Sequence, residues 1–136
     1  MPVTPYLFFS GNCAEAFERY RDIFGGDLQV MTHAQLPEGA DQMPGAEPHH
    51  VMHAALVWDD GMIMGSDDPT GDDGPKTGVA VTYTAADPDT ARRVFDALAE
   101  GGEVTMPFET TFWSRGFGTC NDRFGVPWMI DTADES

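Results

Sequence analysis

Residues 5–26, PYLFFSGNCAEAFERYRDIFGG, contain the pattern that decides the fold. The first five are an apolar, aromatic run that ends at Ser10, Gly11 and Asn12, which predicts a buried strand followed by a turn. Asn12 stands three residues before Glu15, a spacing typical of the capping box that begins a helix. Apolar side chains then recur every three or four residues until two glycines end the pattern. The stretch therefore predicts a strand, a turn and a helix in succession.

The same order recurs about 75 residues later. Residues 79–83 form a second apolar run, Asp87 and Pro88 begin a second helical pattern, and Gly101 and Gly102 end it. Three more strands are predicted after each helix, at 28–34, 51–58 and 62–66 in the first half and at 104–106, 116–120 and 128–130 in the second. This repetition indicates an internal duplication of βαβββ type. It predicts an α+β fold of two modules, about residues 1–67 and 77–134, forming one curved mixed sheet with the helices outside.

The composition excludes several classes of partner. The 136 residues include 7 basic and 23 acidic side chains, which gives a formal net charge of −16. Nucleic acid and anionic membranes both require clustered Lys and Arg, so neither is expected as a partner. No apolar run approaches a membrane span, and no secretory signal is visible at Met1. Two cysteines do not make a disulfide framework, and the sequence predicts a cytoplasmic, acidic protein with reduced thiols.

Motifs spread over almost the whole chain carry a family resemblance. The longest is ETTFWSRGFGTCNDRFGVPWM at residues 109–129. Shorter ones are PYLFF with Gly11–Cys13, Tyr20 with FGG at 24–26, MHA at 52–54 and MGSD at 64–67. Together they resemble the PhnB-like branch of the glyoxalase/bleomycin resistance (vicinal oxygen chelate) superfamily. The resemblance implies paired βαβββ modules around a cleft, and a homodimer.

Metal enzymes of that superfamily carry His or Glu ligands at four positions that face the cleft. Counted along the family's motifs, two of these positions fall on Tyr6 and Met129, and the other two fall near Met64 and Gly78. A phenol, a thioether and a glycine do not replace the imidazole and carboxylate ligands of a divalent ion. The resemblance therefore predicts no metal at these positions and no other cofactor.

Three histidines in the pattern H-H-x-x-H could suggest a separate metal site. His49, His50 and His53 precede or begin a predicted strand, where alternate side chains point to opposite faces. Paired histidines at this spacing are typical of zinc sites mainly on a helix. We therefore expect two loop histidines and one strand histidine. His53 interrupts an apolar strand, and it has either a hydrogen-bonded structural role or a role at the ligand, including proton transfer.

Four other side chains are candidates for chemistry. Cys13 follows the predicted N-cap, where the helix dipole favours a thiolate, but no base is placed near it, and packing is the expected role of both Cys13 and Cys120. Trp113 and Arg115 lie in WSRGFG, which is either a pocket rim that stacks on a flat ligand and binds its anion, or a structural hairpin.

Some PhnB-like proteins carry a methyltransferase label. This sequence lacks the glycine-rich strand-to-helix turn that would hold a nucleotide-like methyl donor.

The leading functional hypothesis is a protein that binds a small apolar or planar molecule in a cleft without the usual metal centre. The alternative is a metal-dependent or His-assisted lyase, isomerase or dioxygenase acting on a vicinal-oxygen substrate, with His53 as the candidate catalytic residue. A third possibility is a dimeric scaffold whose own side chains fill the cleft. The predicted ligand-binding residues are Tyr6, Phe8, His53, Met64, Ser66, Thr82, Trp113, Arg115 and Met129.

Overall fold

The computed structural model describes residues 3–35, 47–59, 61–68 and 76–133. The chain divides into two compact units, Met1–Asp73 and Gly74–Ser136. The elements of the first unit are β1 (Tyr6–Phe9), α1 (Cys13–Phe24), β2 (Asp27–Thr32), a 3-10 turn (His33–Gln35), β3 (Val51–Trp58) and β4 (Gly61–Asp67). Those of the second are β5 (Val81–Ala85), α2 (Pro88–Ala99), β6 (Glu103–Glu109), β7 (Phe117–Asn121) and β8 (Pro127–Thr132).

The predicted βαβββ order is therefore confirmed in both units. The largest shift is at the end of β6, which lies three residues after the predicted end at residue 106, and both ends of β5 lie two residues later than predicted. The predicted excursion at 36–50 lies mostly outside the described residues, which resume at Glu47.

Each unit forms its own four-stranded mixed sheet, with the strand orders β1-β4-β3-β2 and β5-β8-β7-β6. The first strand of each unit lies parallel to the last one, and the other neighbours are antiparallel. The α+β class with paired modules is confirmed, but the described strands form two hydrogen-bonded sheets instead of one. The reason is that the first strand of each module completes the sheet of its own module by pairing with the fourth.

The duplication extends to individual hydrogen bonds. Phe9 is paired with Asp67 at the end of β1 and β4, and Ala85 is paired with Thr132 at the end of β5 and β8. The residue after each pair donates a backbone hydrogen bond to the last residue of the first strand. These bonds run from Asp68 N to Phe9 O at 2.6 Å and from Ala133 N to Ala85 O at 2.7 Å. Equivalent positions in the two modules can therefore be matched residue by residue.

In the first unit α1 packs on one face of its sheet. Its buried side chains are Cys13, Ala16, Phe17, Tyr20 and Ile23. Gly65 in β4 permits this contact, because a Cβ there would lie 2.8 Å from the Phe17 ring and 2.7 Å from Leu7 O. Leu7 and Phe9 point into the same core, so their neighbours Tyr6 and Phe8 lie on the opposite face.

In the second unit α2 buries the predicted stripe of Ala91, Val94, Phe95 and Leu98. A glycine again makes room for the helix, since a Cβ on Gly118 would lie 2.8 Å from the Phe95 ring. The core of the sheet includes Trp128 and Ile130, which are almost completely buried. Both helices thus leave one face of their own sheet uncovered.

The two helices begin in different ways. Asp87 caps α2 as predicted: its carboxylate accepts hydrogen bonds from Thr90 N and Thr90 Oγ1, and these bonds hold the pKa of Asp87 below its ordinary value. The predicted capping box at Asn12 is wrong, because its side chain makes no capping hydrogen bond. The carboxylate of Asp67, at the end of β4, instead accepts Gly11 N at 2.9 Å and Cys13 N at 3.0 Å.

A second buried carboxylate organises the turn between β7 and β8. Asp122 Oδ1 accepts hydrogen bonds from Phe124 N and Val126 N, and Oδ2 accepts one from Trp128 Nε1 at 2.9 Å. Gly125 has a φ of 82°, a conformation that favours glycine within this turn. The DRFGVPW part of the longest family motif therefore forms a structural hairpin.

Among the described residues, no helix combines the length and apolar character needed to cross a bilayer.

Candidate functional site

The face of the first sheet opposite α1, called here the open face, carries a patch of apolar side chains. Tyr6 and Phe8 of β1 are 37 % and 55 % exposed. Neighbouring strands add Met31, Val57 and Met62, all at least one-third exposed. Single exposed apolar residues are ordinary, whereas a contiguous patch on adjacent strands is typical of a binding surface.

The strand register brings several predicted site residues together on this face. Tyr6 is paired with Met64 and Phe8 with Ser66 across β1 and β4. The rings of Tyr6 and Phe8 have centroids 5.1 Å apart. Ser66 is nevertheless only 4 % exposed, so its hydroxyl does not face solvent as the Phe8 ring does.

His53 lies on the open face beside Tyr6. Its Nδ1 is 3.3 Å from the Tyr6 hydroxyl, and the two rings stack with centroids 5.9 Å apart. The side chain is half-buried in β3. His53 therefore combines a hydrogen bond within the protein with a position next to the exposed aromatic rings.

Among the described residues, the centre of the open face carries no Asp, Glu, Lys or Arg side chain. Strands β2 and β3 contribute Gln29, Met31 and Ala55 to it, and the carboxylate of Asp27 lies at its edge opposite Val57. In a chain with 23 acidic side chains this distribution is unusual. Such a surface favours an apolar ligand with few polar groups.

The remaining predicted residues lie in the second unit. Thr82 is exposed and is paired with Met129, which is also paired with Thr119 of β7. Trp113 is 49 % exposed, and its ring contacts Phe112 and Phe117 at centroid distances of 4.8 and 5.6 Å. Thr82, Met129 and Trp113 are thus all at least partly exposed in the second unit.

Arg115 is engaged in the hairpin. Its Nη2 donates hydrogen bonds to Ala86 O at 3.1 Å and to Ala133 O at 2.7 Å, which lie just beyond the ends of β5 and β8. Ser114 next to it donates to Asp131 Oδ1 at 2.5 Å. These contacts are the ones expected if the WSRGFG segment has a structural role.

Comparison with known proteins identifies the family. The sequence model described as 3-demethylubiquinone-9 3-methyltransferase, which represents PhnB-like proteins, matches residues 1–131. The chain belongs to this PhnB-like family. Protein YjdN of Escherichia coli is 32 % identical over 143 residues, which cover 99 % of this chain and 97 % of YjdN.

Solved structures of similar proteins agree with this assignment. PA1353 from Pseudomonas aeruginosa has 39 % identity and a TM-score of 0.86, with 99 % of each chain covered. A PhnB protein from Bacillus cereus has 26 % identity and a TM-score of 0.77, covering 98 % of this chain and 100 % of its own. A glyoxalase/bleomycin resistance/dioxygenase domain from Frankia, at 12 % identity and a TM-score of 0.64, covers 100 % of this chain and 94 % of its own and shares the fold.

The strand register locates the metal positions that the family resemblance implies. Tyr6 and Met64 are register partners in the first unit, three residues before the pair Phe9 and Asp67. Thr82 and Met129 form the equivalent pair in the second unit, three residues before Ala85 and Thr132. Gly78 lies before β5, outside the strands, and by register the residue of the second unit that is equivalent to Tyr6 is Thr82.

The four side chains at these positions do not fit a divalent ion. They offer one phenol, one aliphatic hydroxyl and two thioethers, and none is an imidazole or a carboxylate. Catalytic zinc sites typically use three protein ligands such as imidazoles and carboxylates. Mg²⁺ and Ca²⁺ require oxygen ligands such as carboxylates and carbonyls.

A different cluster of possible metal ligands lies just before β3. His49 and His50 are in a turn, as the sequence predicted for loop histidines, and His53 is in the strand. The sequence interpretation missed Glu47, whose Oε2 lies 3.4 Å from His49 Nδ1. The signal was available in the segment EPHH, but the predicted pattern extended forward to His53 instead of back to Glu47.

Both thiols are buried, with Cys13 0 % and Cys120 1 % exposed. Burial, and next the negative charge of Asp122, raise the pKa of Cys120 from 9.0 to about 11. The thiolate is therefore disfavoured at neutral pH, and Cys120 is a poor candidate for a nucleophile.

The raised pKa predicts a pH-dependent stability. Between about pH 9 and 11 the unfolded thiol ionises while the folded thiol stays protonated, so the free energy of unfolding should decrease as the pH rises. Below pH 9 this contribution should be constant. Urea unfolding at pH 8, 9 and 10 should show a steeper decrease for the wild type than for Cys120→Ala. Equal slopes for the two proteins would contradict the prediction.

Proposed function

We propose that this PhnB-like protein binds a small planar or apolar molecule against the open face of its first sheet, without the metal centre of its superfamily. The observation that supports this most directly is the exposure of Phe8 beside Tyr6 and Met64. A phenyl ring that is 55 % exposed leaves apolar area in water, and a bound ligand would remove that area from water. Aromatic rings favour a planar ligand because they stack or pack edge to face.

The Tyr6–His53 pair would supply the polar anchor of this site. Its hydroxyl and imidazole are 3.3 Å apart, and the pair is the main polar feature beside the rings of Tyr6 and Phe8. A ligand with a single carbonyl or hydroxyl group could exchange hydrogen bonds with this pair while its apolar part covers Phe8. The proposal therefore favours a ligand with one polar end.

The proposal also includes the second unit. Thr82 and Met129 are register partners, and the indole of Trp113 is 49 % exposed, so a ligand that binds at Trp113 itself would change its fluorescence. Arg115 would act there mainly by holding the hairpin that carries Trp113. The homodimer implied by the family resemblance belongs to the same proposal.

Methyl transfer, which the family description names, has little support in the residues. A nucleotide-like cofactor held at a strand-to-helix turn would need free backbone N–H groups there. In α1 the N–H groups of Gly11 and Cys13 already donate to Asp67, and in α2 Asp87 accepts from Thr90 N. Both helix starts are thus capped by carboxylates of the chain itself.

The hydrogen bond between Tyr6 and His53 also favours a second candidate function. An imidazole beside an exposed phenol could move a proton to or from a bound substrate, as in a His-assisted lyase or isomerase. In that case His53→Ala would abolish product formation while ligand binding and folding are retained. Absence of turnover by the wild type across a panel of vicinal-oxygen substrates would leave binding as the function.

The binding proposal predicts the behaviour of a neutral aromatic probe. N-Phenyl-1-naphthylamine is suitable because the net charge of −16 would repel an anionic dye. The wild type should bind it saturably, and Phe8→Ser should weaken binding by about tenfold or more, since the phenyl contact is lost. Val79→Ser is the control, because Val79 is 70 % exposed, belongs to the second unit and lies before β5, outside the proposed ligand-binding residues.

Two results would contradict the proposal. One is equal probe affinity for the wild type and Phe8→Ser, with both variants showing the unfolding midpoint of the wild type. The other is a larger loss of affinity in Val79→Ser than in Phe8→Ser.

A further inference from the structure

The turn that leads into β3 carries three side chains with metal-binding atoms. We propose that Glu47, His49 and His50 form a surface site for a transition-metal ion of the Zn²⁺, Ni²⁺ or Cu²⁺ type. The site is separate from the superfamily's metal positions at Tyr6, Met64, Thr82 and Met129. It also does not depend on the ligand-binding function proposed for the open face.

The distances within the turn bring one ligand atom from each residue together. These three atoms all lie within 4.8 Å of one another. His49 Nδ1 is 3.4 Å from Glu47 Oε2, and the rings of His49 and His50 have centroids 4.5 Å apart. Ligand atoms bound to one tetrahedral zinc ion at about 2.0–2.1 Å lie roughly 3.4 Å apart. Small side-chain rotations are therefore sufficient to close the site around an ion.

The backbone of the turn is held in place before any ion binds. His50 N donates to Glu47 O at 3.0 Å, which closes the turn. The 3-10 turn after β2 also holds the Glu47–His50 turn, because His33 N donates to His50 O and Ala34 N donates to Pro48 O, both at 3.0 Å. The ligands thus start from a fixed backbone, which reduces the entropy lost on binding.

One existing hydrogen bond opposes binding. Glu47 N donates to His50 Nδ1 at 2.9 Å, so a neutral His50 carries its proton on Nε2. An ion at Nδ1 would replace this hydrogen bond. An ion at Nε2 would shift the ring proton to Nδ1, and the hydrogen bond from Glu47 N would then be lost as well. The exchange weakens the site without abolishing it, because coordination by two imidazoles and a carboxylate replaces a single neutral hydrogen bond.

The ligand set determines which ions the site selects. Imidazole nitrogen suits Zn²⁺, Ni²⁺ and Cu²⁺, whereas Mg²⁺ and Ca²⁺ prefer oxygen ligands. The other acidic side chains of this chain will attract any divalent ion weakly. Binding at the turn should therefore persist in excess Mg²⁺.

Calorimetric titration of the chelator-treated full chain with Zn²⁺, in excess Mg²⁺, tests the proposal. We expect one strong site per chain, with affinity at least about tenfold lower in each of His49→Ala, His50→Ala and Glu47→Gln. His53→Gln is the control, because it also removes an imidazole near the turn but lies outside the cluster. Unfolding midpoints equal to that of the wild type would show that the variants are folded.

Several outcomes would overturn the proposal. They are the absence of Zn²⁺ binding in excess Mg²⁺, equal binding by the wild type and His49→Ala, and loss of binding in His53→Gln with retention in His49→Ala. The first two would leave only diffuse attraction by carboxylates, and the third would move the site to the open face. With Ni²⁺ as the probe, paramagnetic broadening of the His49 and His50 ring protons, and not those of His53, would support the proposed site independently.

Discussion

Replacement of Asp67 by asparagine is expected to lower the free energy of unfolding by about 3 kcal/mol. Asp67 is 1 % exposed, and its carboxylate accepts three backbone hydrogen bonds, from Gly11 N, Cys13 N and Val51 N. These bonds join the end of β4 to the start of α1 and the start of β3. An asparagine amide has one oxygen and one NH2 group, so in either orientation the NH2 group faces an N–H donor and leaves it unpaired.

The negative charge adds to this effect. Asp67 lies at the N-terminus of α1, where the partial positive charge of the helix stabilises an anion, and asparagine lacks that charge. Urea unfolding monitored by circular dichroism would measure the loss. Asp59→Asn is the matched control, because Asp59 is exposed and the same substitution there should change stability by less than about 0.5 kcal/mol. Similar stabilities of the two variants would contradict the role assigned to Asp67.

The second large effect is expected at Asp122. Asp122→Asn should also cost about 3 kcal/mol, because the carboxylate accepts from Phe124 N, Val126 N and the indole Nε1 of Trp128. The NH2 group of the asparagine would face either the two backbone donors or the indole, and each alternative leaves a buried donor unpaired. Trp128 is 1 % exposed, so water cannot replace the lost acceptor there.

The same unfolding measurement tests this prediction. Glu103→Gln serves as the control in the second unit, since Glu103 is exposed on β6. A stability of Asp122→Asn within about 1 kcal/mol of the wild type would contradict the account of the hairpin. It would also mean that the DRFGVPW motif has another role than the turn.

Most of the fold could be predicted because it depends on local patterns. The stripes of α1 and α2, the paired glycines after each helix and the alternation in the strands are all short-range signals. The capping of α1 could not be predicted in this way. Asn12 has the residue type and spacing of a cap, but Asp67, 54 residues after Cys13, takes that role through a contact that only the parallel pairing of β1 and β4 creates.

The candidate site likewise combines features that the sequence predicts with features that it does not. Side-chain alternation placed Tyr6 and Phe8 on one face of β1, and Met64 and Ser66 on one face of β4. In the structure Tyr6 lies opposite Met64 and Phe8 lies opposite Ser66. Alternation does not determine burial, however, and Ser66 is enclosed near the end of its strand. The hydrogen-bond partners of the Arg115 guanidinium could not be predicted from the sequence either, because Ala86 and Ala133 come close to it only after β5 and β8 have paired.

The position near Gly78 shows that counting along a motif does not fix where a residue lies relative to a strand. Counting along the motif placed a metal position in a segment that precedes β5. The hydrogen-bond register shows that Thr82, paired with Met129, is the residue equivalent to Tyr6. The conclusion about the donors is unchanged, because a threonine hydroxyl is no better a ligand than a glycine for an ion that requires imidazole or carboxylate.

The central proposal is that this PhnB-like protein binds a small planar or apolar molecule through the open face of its first sheet without a metal ion. The most direct test is a fluorescence titration with N-phenyl-1-naphthylamine before and after exhaustive dialysis against a chelator, carried out in the His49→Ala background to remove the proposed surface site. The account predicts the same saturable binding in both samples and its loss in Phe8→Ser. Binding that disappears on chelation and returns only when a divalent metal is added would contradict it.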